Sequence, residues 1–83
     1  MSLEIKEIRE LAKKFHPEQI EGCITQQLET GENVCLRGGS AEEMISELAK
    51  AQFIRSMMEK GMTLANSLRE LARRMRALHE SPD

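Results

Sequence analysis

Two cysteines, two histidines, a glycine-flanked loop and a row of arginines are the groups in this 83-residue chain whose chemistry goes beyond packing. Cys23 and Cys35 are twelve positions apart, which is neither the C-x-x-C spacing of a dithiol motif nor that of a zinc finger. A redox role needs an accessible thiolate of low pKa. Cys35, two residues before Arg37, suits that better than Cys23, which lies beside Ile24 on an apolar helix face and reads as a small hydrophobe. Two independent structural cysteines are expected; a redox thiol or a Cys23–Cys35 disulfide is the alternative.

A metal site needs three or four ligands at workable spacing. His16, Cys23, Cys35 and His79 are the obvious set, and no two of them share a ligand spacing within one element. Neither a metal nor a cofactor is expected. Residues Arg37-Gly38-Gly39-Ser40 run from glycines into a helix start, a geometry that can hold an anion. The lysine of a phosphate loop is missing, and Glu42 and Glu43 would repel phosphate. The stretch reads instead as a loop followed by a capping box, Ser40 with Glu43. With the acids spread over helix faces and only two histidines, no catalytic residue is assigned.

Arg69, Arg73 and Arg76 recur at i, i+4 and i+7, and such a row can track phosphates. The turn Gly61-Met62-Thr63 loosely resembles that of a helix-turn-helix. The helix after it, however, starts with only Thr63, Asn66 and Ser67 as base-reading groups. A DNA-binding regulator is therefore carried as an alternative.

The elements that position these groups are helices. Leu3, Ile5, Ile8, Leu11, Ala12 and Phe15 line one side of a first helix capped by Ser2, with Lys6–Glu10 and Glu10–Lys14 pairs opposite. Pro17 stops it, since the residue before proline avoids helical backbone, and opens a second helix. That helix carries Ile20, Cys23, Ile24, Gln27 and Leu28 on one face and ends at Gly31. Gly22 inside it marks either a close helix approach or a tolerant exposed site. Residues 31–39 are expected to be a loop that tucks Val34 and Leu36 onto the bundle while Cys35 points the other way. Thr63 caps a last helix to about His79, with Leu64, Ala65, Leu68, Leu71, Ala72, Met75 and Leu78 as its stripe.

The third helix, about Ala41 to Lys60, is the longest and is apolar on two sides. Met44, Ile45, Leu48 and Ala49 form one stripe; Phe53, Ile54, Met57 and Met58 form another, nearly opposite. The change falls at Ala51-Gln52. Leaving the second stripe wet would forfeit roughly 1.5–3 kcal/mol per large side chain. Three arrangements avoid that: sandwiching within the chain, a bend near Gln52, or packing against a second subunit.

Composition agrees with an all-α fold. There are two Phe, no Trp or Tyr and six Met, with abundant Leu, Glu, Lys and Arg. A chain this short buries only about 60% of its unfolded surface, so association is a ready source of stability. The net charge of −2 argues against general nucleic-acid or membrane affinity. Residues 18–47 are acidic apart from Arg37, and residues 48–79 are mostly basic. No apolar run suffices to span a bilayer, and no leader is recognisable at the start.

The stretches IKEIRELAKKF, LAKAQFIR and LRELARRMR resemble those of small uncharacterised helical bacterial proteins, a resemblance that implies no activity and no site residues.

The sequence thus predicts one compact four-helix domain over residues 1–83, frayed from about residue 80, with a long two-faced third helix. It predicts a cytoplasmic, non-enzymatic interaction module that forms a homo-oligomer, a dimer first, or binds a partner helix. The predicted surface is Phe53, Ile54, Met57 and Met58, flanked by Arg55. Arg69, Arg73 and Arg76 are the alternative nucleic-acid contacts, and Cys35 with Cys23 the alternative redox pair.

Overall fold

The computed structural model describes residues 2–36 and 39–79, with side chains from Ile5 to Ala77 outside that gap. The capping side chain of Ser2, the side chains of Leu3, Leu78 and His79, residues Arg37 and Gly38, and the tail from residue 80 lie outside what is described.

Four helices follow one another: α1 Ser2–Lys14, α2 Pro17–Thr30, α3 Ala41–Glu59 and α4 Leu64–His79. The starts and stops are those that local chemistry dictates. Pro17 opens α2, where its missing N–H costs nothing. The Gln19 side chain returns to accept from the His16 N–H at 2.8 Å. Gly31 ends α2 in the left-handed conformation, φ 82°, which glycine adopts without penalty, and donates to the Gln27 carbonyl at 2.9 Å. Ser40 and Glu43 form the reciprocal capping box at α3, with bonds of 3.1 and 3.0 Å. The Thr63 hydroxyl accepts from the Asn66 N–H at 3.1 Å and starts α4.

The protein is a slab of 35 × 33 × 21 Å, about two helix diameters thick. The helix α3 is its hub: α1, α2 and α4 all pack against it. Of the three arrangements open to a two-sided helix, the chain adopts the sandwich. The buried seam of α3 is Leu48, Ala51 and Ile54, each fully enclosed. It runs at i, i+3, i+6 and joins the two apolar stripes at Ala51, the point where the pattern changes sides. Around it gather Ile8, Leu11 and Ala12 from α1 and Ile20 and Cys23 from α2. Leu64, Leu68 and Leu71 of α4, with Phe53 and Met58, complete the packing.

The stripes are not used evenly. Ala49 is exposed and Ile45 half-buried, so the first stripe is anchored by Leu48. On α4 the fully buried residue is Ser67, whose hydroxyl donates to the Thr63 carbonyl at 2.8 Å. The contact face of α4 is therefore turned from the centre of its stripe toward Ser67 and Leu71, and Ala65 and Ala72 face solvent. Gly22 is exposed with nothing within 4 Å of a would-be Cβ, so the tolerant-site reading of that glycine holds.

Candidate functional site

This packing draws the predicted interaction stripe partly into the chain's own core. Ile54 has no exposed surface. Phe53 and Met58 are half-buried against the core, and Met57 is half-buried as well. The guanidinium of Arg74 on α4 lies 5.0 Å from the centre of the Phe53 ring, a cation–π distance, and closes that side. Arg55 is also occupied within the chain. Its Nη1 donates to the Ala12 carbonyl at 3.1 Å and its Nε to Glu59 Oε2 at 3.1 Å. The residues share a helix, but α4 and α1 already cover much of the surface that a partner would need.

The arginine row is likewise partly committed. Arg73 and Arg74 both bind Glu70, and Arg69 donates to Asn66 Oδ1 at 2.7 Å. Arg69, Arg73 and Arg76 remain exposed. The two arginines hold the Glu70 carboxyl below the usual carboxylate range. Glu59 is lowered by His16, whose Nδ1 lies 3.0 Å from Oε2, and by Arg55. General acids need the opposite displacement.

The cysteines differ most from expectation. Cys23 and Cys35 are joined, Sγ to Sγ at 2.02 Å with their Cα atoms 6.2 Å apart. The expectation of two independent cysteines is corrected: the loop folds back along α2 and brings Cys35 to the core face that carries Cys23. Sequence spacing gave no sign of this, since the path of an irregular loop leaves no periodicity.

Asn33 supports the same turn. Its Oδ1 accepts from the Cys35 and Leu36 N–H groups at 2.9 and 2.7 Å, and its Nδ2 donates to Gln27 Oε1 at 2.7 Å. Gln27 is buried, so this satisfies a polar group that would otherwise be costly. The expected direction of Val34 is also corrected. Leu36 and Cys35 pack inward, whereas Val34 is 78% exposed.

Between this loop and α1 lies an open pocket of about 450 Å³. Its apolar lining is Leu11, Phe15, Val34, Cys35 and Leu36, and Lys6, Glu7, Glu10 and Lys14 form its rim. The volume is that of a small-ligand or anchor-residue site. The sequence reading places Leu11 and Phe15 on the apolar side of α1 and tucks Leu36 onto the bundle, and a pocket between them leaves no signal in spacing.

Among the described residues no three His, Cys, Asp or Glu groups gather as metal ligands, and no helix is long and apolar enough to cross a membrane. Comparison with family models, curated proteins and solved structures gives no match to this chain.

Proposed function

We propose that the protein is a small non-enzymatic interaction module that works as a two-fold dimer through the α1–loop pocket. The observation that carries this reading is a knob beside a hole. Val34 stands 78% exposed at the edge of the pocket floored by Leu11, Phe15 and Leu36. An isologous interface needs both halves of a contact on one surface, so each copy can seat its Val34 in the other's pocket.

Two further features favour a second copy as occupant. The rim carries Lys6, Glu7, Glu10 and Lys14, both signs on one face, so a partner bearing the same face can match charge to opposite charge. Among the described residues the buried apolar set is eight, a small core for which association is a common source of stability.

Light scattering over a range of concentrations tests the reading, with circular dichroism as the folding control. The disulfide-bonded wild type is expected to be a dimer and Val34→Glu a folded monomer. A wild type that stays monomeric at high concentration, or a Val34→Glu protein that still dimerises, overturns it. A monomer that binds a heterologous helix at the pocket would leave the module but replace the occupant.

A further inference from the structure

We infer that the Cys23–Cys35 disulfide is a redox-operated clamp on the pocket: oxidation fixes the loop wall that forms the binding surface, and reduction releases it. The inference rests on the pocket being the interaction surface, and it adds what controls that surface.

Three observations converge on the loop. First, the bond ties a wall of the site to a rigid element. Cys35 itself lines the pocket, between Val34 and Leu36, while Cys23 is buried in the middle of α2. Second, no regular structure holds residues 31–36 otherwise. At the start of the loop, Gly31 and Glu32 are held to the end of α2; beyond them the anchors are Leu36 packing and the hydrogen bonds of Asn33, and the two amides it caps are those of Cys35 and Leu36. Third, the two cysteines differ in access. Cys23 is 4% exposed, whereas Cys35 is only half-buried and faces the open pocket.

Access decides the route of thiol–disulfide exchange. A dithiol reductant attacks with one thiolate at Cys35 Sγ, and the electron pair of the S–S bond leaves on Cys23 Sγ, which takes up a proton. The second thiolate of the reductant then attacks its own sulfur in the mixed disulfide and releases Cys35, which is protonated in turn. The net change is two electrons and two protons to the protein, and the reductant becomes its cyclic disulfide. Freed from Cys23, the segment around Cys35 keeps only the Asn33 bonds and the Leu36 packing, and the Val34 knob and Leu36 wall lose their covalent tie to α2. In a reducing cytosol the open form is the resting one and an oxidant closes the clamp; in an oxidising compartment the order is reversed.

The test compares oxidised wild type, wild type reduced with dithiothreitol, and the Cys23→Ala/Cys35→Ala variant. The readouts are amide hydrogen exchange, sedimentation equilibrium and circular dichroism. Reduction is expected to raise exchange at Cys35 and Leu36 at least tenfold, to leave the helical signal and the α3 amides unchanged, and to weaken the dimer at least tenfold. The double variant should match the reduced protein and ignore dithiothreitol. Unchanged exchange at Cys35 and Leu36 on reduction overturns the clamp, as does global unfolding, which would make the bond a plain staple, or an intact mass showing no bond in air-oxidised protein. The exchange readout needs no dimer, so a monomeric wild type refutes the pocket as a self-association surface while the clamp is still judged on its own amides.

Discussion

Arg55 on α3 donates through Nη1 to the backbone carbonyl of Ala12 on α1, 3.1 Å away across 43 positions of sequence. The carbonyl belongs to the last turn of α1, where four C=O groups have no partner within the helix. A cation there also complements the negative end of the helix dipole. Arg55 thus acts as an external cap for α1, and it reaches Glu59 at the same time.

Replacing Arg55 should loosen that junction. Arg55→Ala removes a charged donor from the carbonyl of the buried Ala12, a loss of about 1–3 kcal/mol. Arg55→Lys should recover only part of it, because an ammonium cannot serve Ala12 and Glu59 with the geometry of a guanidinium. Urea denaturation of the three proteins at neutral pH measures both. Equal midpoints for all three would show that water replaces the bond without loss.

Gly22 offers a gain. It lies in the interior of α2, exposed, with open space where a Cβ would be. Gly22→Ala should stabilise the protein by roughly 0.5–1 kcal/mol, by lowering the entropy of the unfolded chain and raising helix propensity. Thermal melts of the two proteins decide it, and a lower melting temperature for the alanine variant would contradict it.

The core assignment of Ile54 makes a separate prediction. Ile54 is fully enclosed within one chain, so Ile54→Ala should cost about 2–5 kcal/mol of folding stability. Its effect on a dimer constant, measured where the variant is fully folded, should be small. A selective loss of association with normal stability would return the α3 stripe to the role of an interface.

The acid limb of stability should depend on Glu59 and Glu70. Both carboxyls are held below the usual range when folded, by His16 and Arg55 in one case and by Arg73 and Arg74 in the other. A depressed folded pKa adds stability that is present above the unfolded value, about 4.3, and is lost as the pH falls through the folded value. Glu70→Gln should therefore be weaker than wild type at pH 7 and should converge with it as the solution is acidified below about pH 4. Urea midpoints followed downward in pH measure this. A constant difference between the two proteins across that range would rule out titration of Glu70 as its source.

The four helices were legible because each has a local signature: Pro17, the Ser40–Glu43 box, Thr63 and the apolar spacing between them. The two-sided character of α3 was legible too, and it is answered by neighbours on both sides. What periodicity could not show was which neighbour covers which side. Phe53 is covered by Arg74, a cation that a hydrophobic pattern counts as solvent-facing. The acceptor that Arg55 finds on α1, a main-chain carbonyl, is invisible in side-chain chemistry. The Cys23–Cys35 bond and the pocket both depend on the path of the loop. Asn33 reaching Gln27 helps to set that path, one pair of polar groups with no repeat to reveal it.

A helix enclosed by three others has little circumference left over. Leu48, Ala51 and Ile54 are closed off, and Gln52, Phe53, Arg55 and Met58 each meet another part of the chain. Random substitution would find α3 the least forgiving segment, since most changes there disturb a neighbour. Away from the pocket and from Arg74, the outer faces of α1, α2 and α4 answer to fewer neighbours and can drift. Lineages descended from such a chain would keep this hub recognisable long after their surfaces had parted, and a few buried positions would be their shared inheritance.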